Sequence, residues 1–326
     1  MYYSLVWKDV NAKIIYFKMN MKENYMKKIL FMVFLFIPFF VYANENKYVN
    51  SYDVEMDSTT YNELLGRFSV DDIDSLTLSE YEYLKENPTA EFVYSEKYFK
   101  NIYVKNKDGK IIDFFMTELT KEEYNSDEKL TPSELFQVNS SWIGDEKTIE
   151  TEYKKLKLSV SRRQANGLYI DITNTWKKIP NVKSYDIIGF RISDYSAITF
   201  QKNSYSASQV YDGVVANYNY NTSGNTVQKN NGLAQIMNIV NETSSSLKNT
   251  MSIIIFGNST LQTGFKVYAS YQHATTYDNT FDQVKNVTFS SSSSSNYVIL
   301  GDVFKYKQSV GKNFDAMAGV EVQVTP

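Results

Sequence analysis

Cysteine is absent from this 326-residue chain, histidine occurs once, and proline only five times. Without cysteine there is no thiol nucleophile, thiolate-bound zinc, iron–sulfur cluster or redox dithiol. A histidine-based triad has only His273 to draw on, and no Gly-x-Ser-x-Gly turn accompanies it. Glycine-rich phosphate loops and dinucleotide fingerprints are missing too, so no cofactor is expected. The net charge is −3, which gives no general case for nucleic-acid binding. Long apolar runs are confined to one place near the N-terminus.

That run marks export. "MKKILFMVFLFIPFFVYA" sets Lys27 and Lys28 before an apolar stretch from Ile29 to Val41. Small residues at Val41 and Ala43 predict cleavage before Asn44. The apolar stretch is too short to span a bilayer comfortably, so no stable membrane anchor is expected after cleavage, a retained anchor being the alternative. Residues 1–25 carry no signal-like pattern and read as an over-long gene start, and residues 26–43 as the signal peptide. A chain exported without cysteine must draw its stability from a packed core. Localisation is expected to be secreted, extracellular or held non-covalently at the cell surface.

What is present is aromatic and patterned: 27 Tyr and 20 Phe. Residues 44–135 hold 21 acidic and 10 basic side chains, whereas residues 136–326 hold 14 and 18. This sign change predicts an acidic, helix-containing α+β region over 44–135 and a second domain over 136–326. In the first, "STTYNELLGRF" has helical spacing. Ser69 with Asp72 and Thr77 with Glu80 have capping-box spacing, and capping explains the acidic trio Asp71, Asp72 and Asp74 better than a calcium loop does. Strands follow Pro88, with a turn at Asp108-Gly109, and "TKEEYNSDEKLTPSEL" reads as a short helix or linker.

From Thr148 the period becomes two. "TETEYKKLKLSVSRRQANGLYIDITNTW" alternates on both sides of Asn166-Gly167, a strong hairpin signal that turns Leu156, Leu158, Val160, Leu168, Ile170 and Ile172 to one core. Further strands are expected at 184–192, 196–201, 209–219, 232–240, 251–257, 263–273, 283–289, 297–306 and 315–324. The fold class that results is mainly β, an antiparallel β-sandwich C-terminal domain preceded by the small N-terminal region.

"TWKKIPNVKSYDIIGFRISD" at 175–194 reads as a corner of that sandwich. Trp176 covers the core edge, Pro180 and Asn181 turn the chain, and Gly189 permits a bulge or close backbone approach. Asp186 reads as a turn-side acceptor or partner of Arg191, with a catalytic carboxylate as the alternative. His273 falls in phase with Val267, Ala269 and Tyr271 and reads as a strand histidine bonded to a neighbour. Together with "YASYQHATT" and "NFDAMAGVEVQV", this stretch resembles secreted, functionally uncharacterised proteins of low-GC Gram-positive bacteria, as does "YNELLGRFSVDDIDSLTLSEY". The resemblance implies export and a β-rich C-terminal half, and it carries over no site residues.

Three functions fit these bounds. A non-catalytic surface-binding module for a cell-surface glycan or protein needs only exposed aromatics, and Tyr211, Tyr218 and Tyr220 are candidates for stacking, unless they only face the sheet. A β-pore-forming protein needs amphipathic Ser/Thr-rich strands, and residues 222–263 with the serine run 290–295 have that texture. A glycoside hydrolase needs two carboxylates, for which Asp171, Asp186 and Asp194 lie near one presumed sheet end. The binding module asks least of the sequence and is preferred.

Overall fold

The computed structural model describes residues 47–126, 134, 148–163, 167–180, 182–193, 198–229, 231–239, 245–257, 265–276 and 281–324. The signal segment, Asn166, Asn181 and Asp194 lie outside them. The chain divides into two compact units, one ending at Ser75 and the other beginning at Leu76.

In the first unit β1 (Tyr48–Val49) pairs with β2 (Glu55–Met56), followed by α1 (Ser58–Leu65) and α2 (Val70–Ser75). Asp57 caps α1 by accepting from Thr60 N–H. Ser69 and Asp72 exchange the two bonds of a capping box, 3.1 Å each. Asn50 ties the unit together, accepting from Tyr52 and Val54 N–H and donating to the Ile73 carbonyl.

The second unit is mainly β and antiparallel. It opens with α3 (Leu78–Glu86), where Thr77 and Glu80 form a complete capping box. Then come β3 (Val93–Lys105), β4 (Ile111–Leu119), α4 (Lys121–Ser126), β5 (Thr148–Arg163), β6 (Gly167–Trp176), β7 (Tyr185–Ile192), β8 (Thr199–Tyr211) and β9 (Val214–Tyr218). The remainder is β10 (Thr226–Lys229), β11 (Gly232–Asn238), β12 (Leu247–Phe256), β13 (Phe265–Gln272), α5 (Phe281–Lys285), β14 (Thr288–Phe289), β15 (Tyr297–Leu300), β16 (Phe304–Lys307), α6 (Gln308–Gly311) and β17 (Val320–Val324). A seven-stranded sheet runs β4-β3-β5-β6-β12-β8-β9, and a five-stranded sheet runs β10-β11-β7-β13-β17.

Alternation explains the packing. Leu156, Leu158 and Val160 on β5, Leu168, Ile170 and Ile172 on β6, and Met251, Ile253 and Ile255 on β12 form one face of the core. Ile188, Phe190 and Ile192 on β7, with Val267, Ala269, Val320 and Val322, form the other. The opposite face of the five-stranded sheet is covered as well. Ile187, Ala234 and Ile236 pack on Phe289, Leu300 and Phe304 of a small sheet ordered β14-β16-β15.

Several expectations change in detail. The division near residue 136 is not a break in the fold, because β3 pairs with β5 from Val93↔Val160 to Lys105↔Thr148. The charge reversal there marks a change of surface, not of core. The strands expected at 196–201 and 209–219 differ because one long strand, β8, is followed by a two-residue turn at Asp212 and Gly213, both at positive φ, leading into β9. Residues 283–289 begin as helix, the short α5 turning Val284 inward, and only Thr288–Phe289 is strand. Only Val320–Val324 of 315–324 is strand. The Asp108-Gly109 turn forms as expected, with Gly109 at φ 75°.

Candidate functional site

The polar residues that deserve a chemical account lie inside the sandwich. A strand position in phase with core residues is buried whatever its chemistry, and Lys154 precedes Leu156, Leu158 and Val160 in that phase. It is fully buried, with its ammonium against Asp315, also fully buried, in the segment between α6 and β17. The pair joins the seven-stranded sheet to the chain entering the last strand of the other sheet. Lys154 Nζ also stands 5.0 Å from the Trp176 ring and 5.8 Å from the Tyr271 ring. Burying two charges costs several kcal/mol for each ion unless geometry and hydrogen bonds compensate.

Asp186, in phase with Ile188 and Phe190, reaches the same interior. Its carboxylate accepts from the Tyr271 hydroxyl, from Ala274 N–H at 3.0 Å, and contacts His273 Nδ1 at 3.0 Å. His273 N–H donates to Asp315 Oδ1 at 3.0 Å, so the Asp186–His273 pair and the Lys154–Asp315 pair meet at one residue. Burial alone would lower the His273 pKa, but the adjacent Asp186 carboxylate outweighs it and the net shift is upward. Burial, and then the Asp186 charge, push the Tyr271 hydroxyl well above its ordinary range. His273 Nε2 is buried without a hydrogen-bond partner among the described residues.

The Tyr271 hydroxyl also accepts from Trp176 Nε1 and Asn249 Nδ2, both at 3.2 Å. Asn249 continues to Gln209 at 2.9 Å, and Gln209 accepts from Tyr211 at 2.7 Å and Tyr218 at 3.5 Å. One chain of bonds therefore connects five residues singled out in the sequence: Trp176, Asp186, His273, Tyr211 and Tyr218.

Several roles are corrected. Trp176 is not at the core edge, since it has no exposed surface at all. Asp186 does not pair with Arg191, because five positions along one strand place them on opposite faces. Arg191 instead donates to the Asp302 carbonyl and lies 3.9 Å over the Tyr268 ring. Tyr211 is buried, not a platform. Tyr220, half-buried, meets Tyr205 edge-on at 5.4 Å and donates to Gln228. Gly189 faces β11 so closely that an added Cβ would stand 2.5 Å from the Leu233 carbonyl oxygen, and its pairing is continuous on both sides, without a bulge.

The carboxylates considered for a hydrolase do not converge. Asp171 lies on the outer face of β6 and accepts from Thr77 Oγ1 at 3.0 Å, whereas Asp186 lies inside the sandwich on the other sheet. Each is at most 1% exposed. Within the segment weighed as a pore former, β12 is an interior strand between β6 and β8, with Ile253 and Ile255 fully buried.

Sequence reasoning missed Lys154, Asp315, Gln209 and Asn249. The available signal was phase: Lys154 and Asn249 occupy core-facing positions of otherwise apolar alternation. Asp315 has no such signal, because its segment is irregular.

No family model and no curated protein matches the chain. Among solved structures it is similar to the collagen-binding domain of a Staphylococcus aureus adhesin, at 8% identity over 50% of this chain and 89% of that one, TM-score 0.28. It is similar to the collagen-binding subdomain of the Enterococcus faecalis surface protein ACE, at 10% identity over 34% and 77%, TM-score 0.24. The collagen-binding domain of the Erysipelothrix rhusiopathiae surface protein RspB follows at 9% identity over 38% and 55%, TM-score 0.23. Collagen binding is a property of those proteins.

Proposed function

We propose that this chain is a secreted, non-catalytic interaction module that works at a cell or envelope surface under tension, and that Lys154 and Asp315 condense into an internal amide that lets it do so. The observation that carries this reading is the fully buried contact between Lys154 and Asp315, 161 positions apart in sequence. One proton passes from the Lys154 ammonium to the Asp315 carboxyl, freeing the amine lone pair. Nζ attacks Cγ, a C–N bond forms, and the Cγ–hydroxyl bond breaks. The hydroxyl leaves with a second Nζ proton as water, and nothing is oxidised or reduced. His273 N–H, bonded to Asp315 Oδ1, supports the oxygen that carries charge in the tetrahedral intermediate. The adjoining Asp186–His273 pair is the proton carrier in this scheme. Exclusion of water from the interior opposes hydrolysis of the product.

The mechanical consequence follows from topology. Tension entering before Lys154 and leaving after Asp315 passes through the amide and spares the strands between them. Single-molecule pulling on the full chain is expected to withhold roughly 550 Å of extension, the length of about 161 extended residues. Lys154→Ala is expected to release it, and Asp186→Asn to leave most freshly made molecules uncrosslinked. Full extension of the wild type would contradict the proposal. The absence of an open carboxylate cleft at Asp171 and Asp186 favours binding over hydrolysis.

A further inference from the structure

A cavity of about 600 Å³ opens on the outer face of the seven-stranded sheet, where β5 ends and β6 begins, lined in part by Tyr83, Asn87, Glu91, Arg163, Gln201 and Phe256. Register explains the arrangement. Gly167 is in phase with Tyr169 and Asp171 on that face, with Arg163 opposite it on one neighbouring strand and Phe256 on the other. A Cβ added at Gly167 would stand 3.0 Å from the Phe256 ring and 3.2 Å from Arg163 Cβ, so the missing side chain is the space that both neighbours use. Arg162, opposite core-facing Leu168, points to the other face, and only the Arg163 guanidinium serves the cavity. Tyr83 comes from α3 as the floor, stacked on Tyr169 at 4.1 Å, with Phe92 edge-on at 6.0 Å and the Arg163 guanidinium 5.8 Å from its ring. The Asn87 amide donates to the Tyr83 carbonyl at 3.1 Å and fixes the adjoining wall.

One guanidinium against one carboxylate leaves this wall without net charge, and both groups are planar with paired polar atoms. Arg163 can donate to two neighbouring hydroxyls, Glu91 can accept from two, and the Gln201 amide offers one donor side and one acceptor. The Phe256 ring, half-buried at the end of β12, sets an apolar surface beside them. The backbone contributes little. β5, β6, β12 and β8 are interior strands whose polar groups bond to one another along the ladders, so a peptide main chain finds no edge to pair with. What fits is a ligand with a C–H face and a rim of equatorial hydroxyls, which is a pyranose of gluco configuration. The volume falls in the range of small-ligand sites. We propose that this cavity binds a neutral, β-linked oligosaccharide of gluco-configured sugars, one ring lying on Phe256 and its hydroxyls meeting Arg163, Glu91 and Gln201. The proposal deepens the reading of the chain as a surface-binding module, and rests on it only for the source of the ligand.

Calorimetric titration of the full chain with cellotetraose tests it, with β-linked galactotetraose and an uncharged glycine–serine octapeptide as the other arms. The expected result is saturable sub-millimolar binding that does not change between low and high salt, because the ligand carries no charge. Galactotetraose, whose axial hydroxyl breaks the equatorial rim, should bind about tenfold more weakly, as should cellotetraose to Glu91→Gln and to Phe256→Ala. Glu91 is exposed, so its variant decides the matter should Phe256→Ala melt lower than the wild type. Arg162→Gln, altered on the other face, and Lys154→Ala, without the internal amide, are expected to keep wild-type affinity, so this site and the amide fail separately. No saturable binding, equal binding of galactotetraose, preference for the peptide, unchanged affinity in Glu91→Gln, or an equal loss in Arg162→Gln would overturn it.

Discussion

Lys154 and Lys157 stand three residues apart on β5 and are both buried against carboxylates, but on opposite faces of the strand. Lys154 points between the sheets and meets Asp315. Lys157 points outward under α3, where Glu80 accepts from it at 2.7 Å and Asp171 lies close by. The inner pair joins segments far apart in sequence and is enclosed by Trp176 and Tyr271. The outer group pins a helix whose capping box already uses the same Glu80, through Thr77 N–H at 2.6 Å. Two carboxyl groups share one cation there, and burial, then Glu80, push the Asp171 pKa up to about 7. The comparison teaches that a buried lysine is not one device. Inside the sandwich it meets Asp315, a carboxyl that also accepts from a backbone N–H, and outside it is a charge balanced against a pair of acids.

Variants separate the two faces, the inner first. Lys154→Ala is expected to cost about 5 kcal/mol, the chain-entropy value for a cross-link closing a loop of this length. It should lower the melting temperature by roughly 10–20 °C. Glu80→Ala removes both the ion pair and the cap of α3 and is expected to cost about 3–5 kcal/mol in denaturant unfolding, with the mass of the chain otherwise unaffected.

Asp171→Asn sharpens the outer half. Because its pKa rises from 3.8 to about 7 on folding, the folded chain holds a proton that the unfolded chain has released in that window. Stability therefore falls as pH rises between those two values, then levels off. Thermal melts between pH 4 and pH 8 should show this decline in the wild type and a flatter profile in Asp171→Asn. An unchanged slope would remove Asp171 from the account. Smallest is Tyr220→Ala, away from both lysines, expected to shift unfolding by no more than about 0.5–1 kcal/mol.

Local chemistry was legible in the sequence. Thr77 and Glu80 announced a helix start, Asp108-Gly109 a turn, and the alternation through Leu156 and Ile170 the core. Trp176, Asp186 and His273 stood out individually, but their meeting did not, because it depends on β7 and β13 pairing across intervening strands. Asp315 was invisible for the same reason, having a partner 161 positions away and no periodicity around it. Position 136 misled because charge reports surface, while strand pairing between β3 and β5 reports the fold.

The intact mass of the folded, purified full chain tests the internal amide most directly. A chain lighter by one water than its sequence, yielding on digestion a branched peptide that joins Lys154 to Asp315, is the predicted result. A mass equal to that of the sequence, with the Lys154 and Asp315 peptides recovered separately, would contradict it.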